Sequence, residues 1–158
     1  MERKTVVIGH WNDPVILCEK EDFDKINDLR DCDVIIYGDI FSTTRDTIKI
    51  KGGNLYIYGE LSGAGIETTE GDVVCEGNIV LGGDIKVNGN FTCTGNLNGR
   101  AYNIYVTEDC SIFELQNTYG CYCLGDFCSN SVNLCYTLEY GGNLSCDGGR
   151  IYHQKKLL

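Results

Sequence analysis

Four hexapeptides of one shape follow one another between Val73 and Asn96: VVCEGN, IVLGGD, IKVNGN and FTCTGN. Each opens on an apolar residue, carries a second one two positions later, and closes on Gly followed by Asn or Asp. Alternation over three residues marks a short strand, and Gly-Asn or Gly-Asp is turn chemistry. Six residues are too few for two strands and a hairpin turn, but they suit one side of a coil. Three such sides make a coil of about 18 residues, a period in the range of stacked-repeat architectures.

Longer apolar ladders follow the same step. Leu61, Ile79, Leu97, Leu115 and Val132 are separated by 18, 18, 18 and 17 residues. A second ladder runs Val34, Leu55, Val73, Phe91, Cys110, Phe127 and Leu144, opening with a step of 21. A third joins Val87, Ile104, Cys121 and Leu138 at steps of 17. Three apolar walls facing one interior predict an all-β fold, a single-stranded parallel β-helix of about six coils from Asp33 to Ile151. Coils stack about 4.8 Å apart, so the solenoid should be about 30 Å long. Parallel crossovers are overwhelmingly right-handed, so the coil is expected to be right-handed. An up-and-down antiparallel barrel would instead repeat every 10–12 residues or so, without the internal threefold rhythm.

The first thirty residues break the pattern. Thr5–Ile8 and Val15–Cys18 read as short strands flanking a loop that holds the only tryptophan, Trp11. The stretch EKEDFDKINDLRD then places Phe23, Ile26 and Leu29 on one side, which predicts a short helix over Glu21–Arg30 with acids in its first turn. The expected organisation is therefore a cap over residues 1–32, a solenoid over 33–152 and a tail over 153–158, with the cap closing one apolar end. Phe41–Thr47, FSTTRDT, lengthens one early coil and is expected to bulge outward.

Composition narrows the partners. Twenty glycines and a single proline suit tight corners and an uninterrupted hydrogen-bond ladder. A formal net charge of −10 argues against duplex nucleic acid or an anionic membrane surface. Residues 1–20 lack the apolar core of a signal peptide, and no apolar run is long enough to span a bilayer as a helix, so a cytoplasmic location is the expectation.

Ten cysteines are the most conspicuous chemical feature. Cys75, Cys93, Cys110, Cys128 and Cys146 follow the coil step, so some should stack on one another, buried and reduced. Cys121, Cys123, Cys128 and Cys135 are the one metal-like grouping, but their spacing lacks the paired CxxC elements of zinc knuckles. Alternation turns Cys121 and Cys123 to the same side of a strand, toward the interior. No metal or other cofactor is expected.

The ten tyrosines also recur at coil spacing: Tyr102, Tyr119, Tyr136, Tyr152, and separately Tyr105, Tyr122, Tyr140. Parity places Tyr102 and Tyr119 inward or at a corner, and Tyr105 and Tyr122 outward. Like residues stack in parallel coils, which accounts for such stripes. An outward pair could also bind sugar rings. Catalytic groupings are sparse. His10 and His153 belong to opposite ends, and a hexapeptide-repeat acyltransferase would need a histidine along the coils. Asp72, Asp84, Glu108, Asp126 and Asp147 sit beside Gly, Cys or strand starts as corner residues. They do not form the paired carboxylates of a glycosidase.

The rhythm of GNLYIYGELSGAG (Gly53–Gly65), IKVNGNFTCTGNLNG (Ile85–Gly99) and YNIYVTEDCSIFE (Tyr102–Glu114) resembles the bactofilins, polymer-forming bacterial cytoskeletal proteins built on a right-handed triangular β-helix. The likeness extends over Val34–Ile151, with Cys and Tyr on rungs where that family carries Val, Ile or Ala. It implies a non-enzymatic scaffold that self-associates through exposed terminal coils. With the N-terminal end capped, the expected contact is the C-terminal coil around Tyr140, Leu144, Ile151 and Tyr152, giving a two-fold dimer. The other functional class is a module binding carbohydrate or a protein partner on an outer face through Tyr105 and Tyr122.

Overall fold

The structure is a computed structural model and describes residues 3–157. It is a β-solenoid in which every strand pairing between coils is parallel. The strands are β1 (Lys4–Ile8), β2 (Val15–Leu17), β3 (Cys32–Phe41), β4 (Thr47–Ile50), β5 (Leu55–Tyr58), β6 (Leu61–Thr68), β7 (Val73–Glu76) and β8 (Ile79–Val87). They continue as β9 (Phe91–Asn98), β10 (Asn103–Val106), β11 (Cys110–Cys123), β12 (Phe127–Tyr140), β13 (Leu144–Cys146) and β14 (Gly149–Lys156), with one helix, α1 (Lys20–Asn27). The longer strands turn a corner without breaking and serve two or three sides of a coil.

The first two ladders are the register of the fold. Leu61 pairs with Ile79, Ile79 with Leu97, Leu97 with Leu115 and Leu115 with Val132. Val34, Leu55, Val73, Phe91, Cys110, Phe127 and Leu144 stack in unbroken succession, preceded by Val6. The third ladder needs a correction at its first rung. Ile85, not Val87, lies under Ile104, and Val87 pairs with Val106. The step there is 19 residues, not 17, because of the extra corner residues Arg100 and Ala101, both in the left-handed region. Seven coils run from Cys32 to Lys156, one more than the sequence suggested, because residues 153–156 are not a loose tail. They form the third side of the last coil, pairing His153 with Thr137 and Lys156 with Tyr140.

The closing Gly-Asn and Gly-Asp of the hexapeptides have a structural reason. A Cβ at Gly71 would collide with the Gly53 carbonyl oxygen, and one at Gly89 with that of Gly71, so successive coils approach too closely there for a side chain. The Asx residue at this corner, which follows a glycine in most coils, ties the coils together. Asp33 Oδ1 accepts the Asn54 N–H at 2.8 Å, Asn54 Oδ1 that of Asp72 at 2.7 Å, and Asp72 Oδ1 that of Asn90 at 2.8 Å. Asn90, Asp109 and Asp126 repeat the bond to the N–H of the following coil at 2.9, 2.8 and 2.7 Å. This column satisfies corner donors that no strand can reach. Asp and Asn alternate through Asp109, holding those carboxylates two coils apart, near the range at which salt screens charge.

Residues 3–31 add a further turn beneath the first full coil. Strands β1 and β2 pair with two sides of β3, and α1 takes the third side, packed against β4. The helix is shorter than expected, ending at the Asp28 C-cap, with Phe23 and Ile26 buried and Leu29 half-buried beyond its end. It begins with a capping box between Glu19 and Asp22. No helix among the described residues is long and apolar enough to cross a membrane.

Candidate functional site

Both ends of the solenoid present strand edges. Among the described residues β1 and β2 pair only with β3, while β13 and β14 pair only with β12. An unpaired edge offers a row of free N–H and C=O groups to another chain. The cap thus covers all three sides of the first full coil but leaves the outer edges of its own strands β1 and β2 open. At the N-terminal end Val6, Ile8, Leu17, Ile26 and Leu29, with Asp22 and Lys25, line a hollow of about 320 Å³. Exposed apolar side chains also gather there, with Val7 54 %, Trp11 73 % and Ile16 67 % accessible.

At the opposite end Leu144, Cys146 and Ile151 are half-buried, lacking a coil above them. Of the four residues expected to form a contact there, Tyr140 and Tyr152 are not on the open face of the last coil. Tyr140 belongs to the coil before the last, where Lys156 pairs with it and Leu157 N–H donates to its carbonyl at 2.6 Å. Tyr152 is 60 % exposed on the outer wall, tilted against Tyr136 at 6.3 Å. Leu144 and Ile151 remain as open rungs.

The ends also differ in charge. From Glu19 to Asp28 five carboxylates face two lysines, whereas Arg150, His153, Lys155 and Lys156 follow the last acid of the chain, Asp147. Helix α1 and the end of β14 lie on the same side of the solenoid, since β4, β8, β10 and the last parts of β11 and β12 connect them in register.

The aromatic stripes are stacks. Tyr105 and Tyr122 lie 5.1 Å apart and 8° from parallel, and burial followed by the neighbouring Tyr105 holds the Tyr122 phenol above its ordinary pKa. Each ring of the pair turns one face to the other and keeps only its outer face for any further stacking. Tyr140 does not extend this pair, because Glu139 takes the position above Tyr122. Tyr119 stacks on Tyr136 at 5.2 Å, with His153 edge-on to Tyr136 at 5.0 Å. Tyr119 is 51 % exposed, so the inward or corner placement read from parity is corrected. The bulge near Asn117, a left-handed residue, shifts the alternation there. A third stack, Tyr37 on Tyr58 at 5.0 Å, has a 21-residue step that lies outside the regular period.

All ten cysteines are free; seven are buried, Cys18 and Cys128 are exposed, and Cys146 is intermediate. Only one pair of the periodic set stacks, Cys75 on Cys93. Cys121 and Cys123 both face inward, but Cys128 points out on the other side of its coil, so the metal-like grouping does not converge. Among the described residues no cluster of His, Cys, Asp or Glu could hold a metal ion. The buried thiols serve as donors to corner carbonyls. Cys123 Sγ donates to Glu108 O at 3.0 Å, and Cys135 Sγ to Thr137 O at 3.2 Å. Burial pushes Cys93 and Cys123 up to about 11 and Cys135 to about 12. His10 and His153 lie in the first turn and the last strand, as expected.

No family model, curated protein or solved structure matches this chain.

Proposed function

We propose that the protein is a non-catalytic structural scaffold whose copies join through the ends of the solenoid, head to tail. The observation that supports this most directly is that the apolar ladders run out at both ends without a polar terminus. The rungs Val6 and Ile8 at one end correspond to Leu144 and Cys146 at the other, on the same two columns. Setting the last coil of one copy under the first turn of the next continues both columns and keeps the strands parallel. It also brings the basic end of β14 toward the acidic helix α1, and opposite charge favours this register over others. Joining two C-terminal ends would oppose like charges and make the strands antiparallel. The contact expected from the sequence therefore shifts from a closed dimer to a repeating one, which need not close.

Charge reversal tests it. Lys155→Glu with Lys156→Glu should keep the protein monomeric in sedimentation velocity across a concentration series, as should Glu21→Lys with Asp24→Lys. A mixture of the two variants should restore assembly into alternating chains, because each mixed contact again pairs an acidic end with a basic one. Trp11, the single tryptophan, should shift its emission on association. If the helix variant assembles like the parent, or if the parent is monomeric at every concentration, the head-to-tail reading fails.

A further inference from the structure

A second feature lies midway along one corner, away from both ends. Ser42, Thr43, Arg45, Gly63, Leu81, Gly82, Arg100 and Tyr102 enclose a hollow of about 300 Å³, the lower end of the range for small-ligand sites. Four successive coils contribute to it. Two arginines meet there in a protein with 13 basic against 23 acidic residues, and no carboxylate lines the hollow. Neither guanidinium is ion-paired among the described residues, where the one salt bridge joins Arg3 to Asp33.

Both arginines are held on fixed loops. Arg45 sits in the insertion that lengthens its coil. There Asp46 Oδ2 accepts Ser42 Oγ at 2.8 Å and Thr44 Oγ1 at 2.7 Å, and Asp46 N–H donates back to Ser42 Oγ at 2.9 Å. The hydroxyls of Thr44 and Ser42 hold the Asp46 carboxyl below its ordinary pKa, and this acid next to Arg45 in the chain is hydrogen-bonded within its own loop. On the other loop, Arg100 N–H donates to Asn98 Oδ1 at 3.0 Å and Tyr102 N–H to Gly99 O at 2.8 Å. Arg45 and Arg100 both adopt left-handed backbone, at φ 57° and 46°, where Gly or Asn would fit without steric cost. Two exposed arginines on left-handed backbone line one hollow that has no carboxylate on its wall, which gives it the positive charge an anion would seek.

We propose that this corner is a binding site for a small tetrahedral oxyanion, a phosphate or sulfate ester group. Planar guanidinium forks match such oxygens in bidentate fashion. Thr43 and the Tyr102 hydroxyl supply further polar contact, and the half-buried Tyr102 ring gives an attached sugar a wall to rest on. The insertion FSTTRDT thereby acquires a role that coil geometry alone does not require.

The test is NMR titration of the full chain with inorganic phosphate, inorganic sulfate, a hexose 6-phosphate and the same hexose unphosphorylated. Saturable shifts of the Gly63, Gly82 and Tyr102 amides with the anions, and none with the plain hexose, are expected. Tighter binding of the hexose phosphate than of inorganic phosphate would assign the site to the ester; equal binding would assign it to the free anion. Arg45→Asn and Arg100→Asn should each weaken binding about tenfold or more while leaving thermal stability unchanged or raised, since Asn accepts the left-handed region. Arg150→Asn, at the far end, should bind as the parent does. Shifts that do not saturate, or equal losses in all three variants, would overturn the site. So would a fall in stability in the Arg45 and Arg100 variants with binding intact, because the arginines would then be structural.

Discussion

Asn90 stands at the middle of the corner column, and its removal measures what that column contributes. Its Oδ1 accepts the Asp109 N–H at 2.9 Å, its own N–H donates to Asp72 Oδ1 at 2.8 Å, and its Nδ2 lies 3.3 Å from the same oxygen. Asn90→Ala keeps the backbone bond and removes the other two. Each bond contributes about 1 kcal/mol net, and water can reach the exposed Asp109, so the loss should be about 1–2 kcal/mol. For a chain of 158 residues that is a fall in Tm of about 2–8 °C in differential scanning calorimetry. Asn90→Asp separates the column's two functions. It retains the acceptor for Asp109 but sets a carboxylate against Asp72 on one side and Asp109 on the other. Like charges about 4 Å apart repel by about 1 kcal/mol in water and more at a half-buried corner. The new carboxyl would have its folded pKa raised above the unfolded value of about 3.9, so the variant should approach the parent below pH 4 and lose stability as pH rises through the folded pKa. Should Asn90→Ala melt within a degree of the parent, and Asn90→Asp show no pH-dependent difference from it, the side-chain column is incidental and the strands alone hold the coils.

Other consequences are independent of that column. Ile79, 1 % exposed between Leu61 and Leu97, should not tolerate Asp: an uncompensated buried carboxylate costs several kcal/mol, and circular dichroism of Ile79→Asp should show the β signal lost. Leu134 is left-handed at φ 61° on an exposed bulge, so Leu134→Gly should raise stability by about 1 kcal/mol in urea unfolding. A thiol reagent at neutral pH should modify Cys18 and Cys128 quickly, Cys146 more slowly, and the seven buried thiols only after denaturation. Because burial raises Cys93, Cys123 and Cys135, the folded state keeps them protonated where the unfolded chain ionises. Stability should therefore be intact below about pH 8.5 and fall above it by about 1.4 kcal/mol per pH unit for each such thiol, until the folded values are reached. A urea midpoint unchanged between pH 8 and pH 10.5 would contradict this.

The period was legible because a stacked coil repeats its environment. Residues one coil apart meet the same neighbours, so Leu61, Ile79, Leu97, Leu115 and Val132 report one wall whatever the details of the corners. The Gly-Asn and Gly-Asp pairs were visible as turns. That the glycine makes room for the previous carbonyl, and the Asx binds the next coil's N–H, is a relation between residues about 18 apart and needed coordinates. Counting failed where a corner gained or lost a residue. Ile85 lies under Ile104 and Val87, two residues on, under Val106, because Arg100 and Ala101 lengthen the turn, and the bulge near Asn117 turns Tyr119 outward. The ends were beyond sequence reasoning for a different reason. An amphipathic helix shows that it covers something, but not how much, and only packing reveals that α1 occupies one side while β1 and β2 leave two edges open. Likewise Arg45 and Arg100 are 55 residues apart in the chain, and neither belongs to the apolar rhythm. Periodicity assigns the wall to which a residue belongs; which side chains meet across a corner depends on the irregular residues that periodicity leaves out.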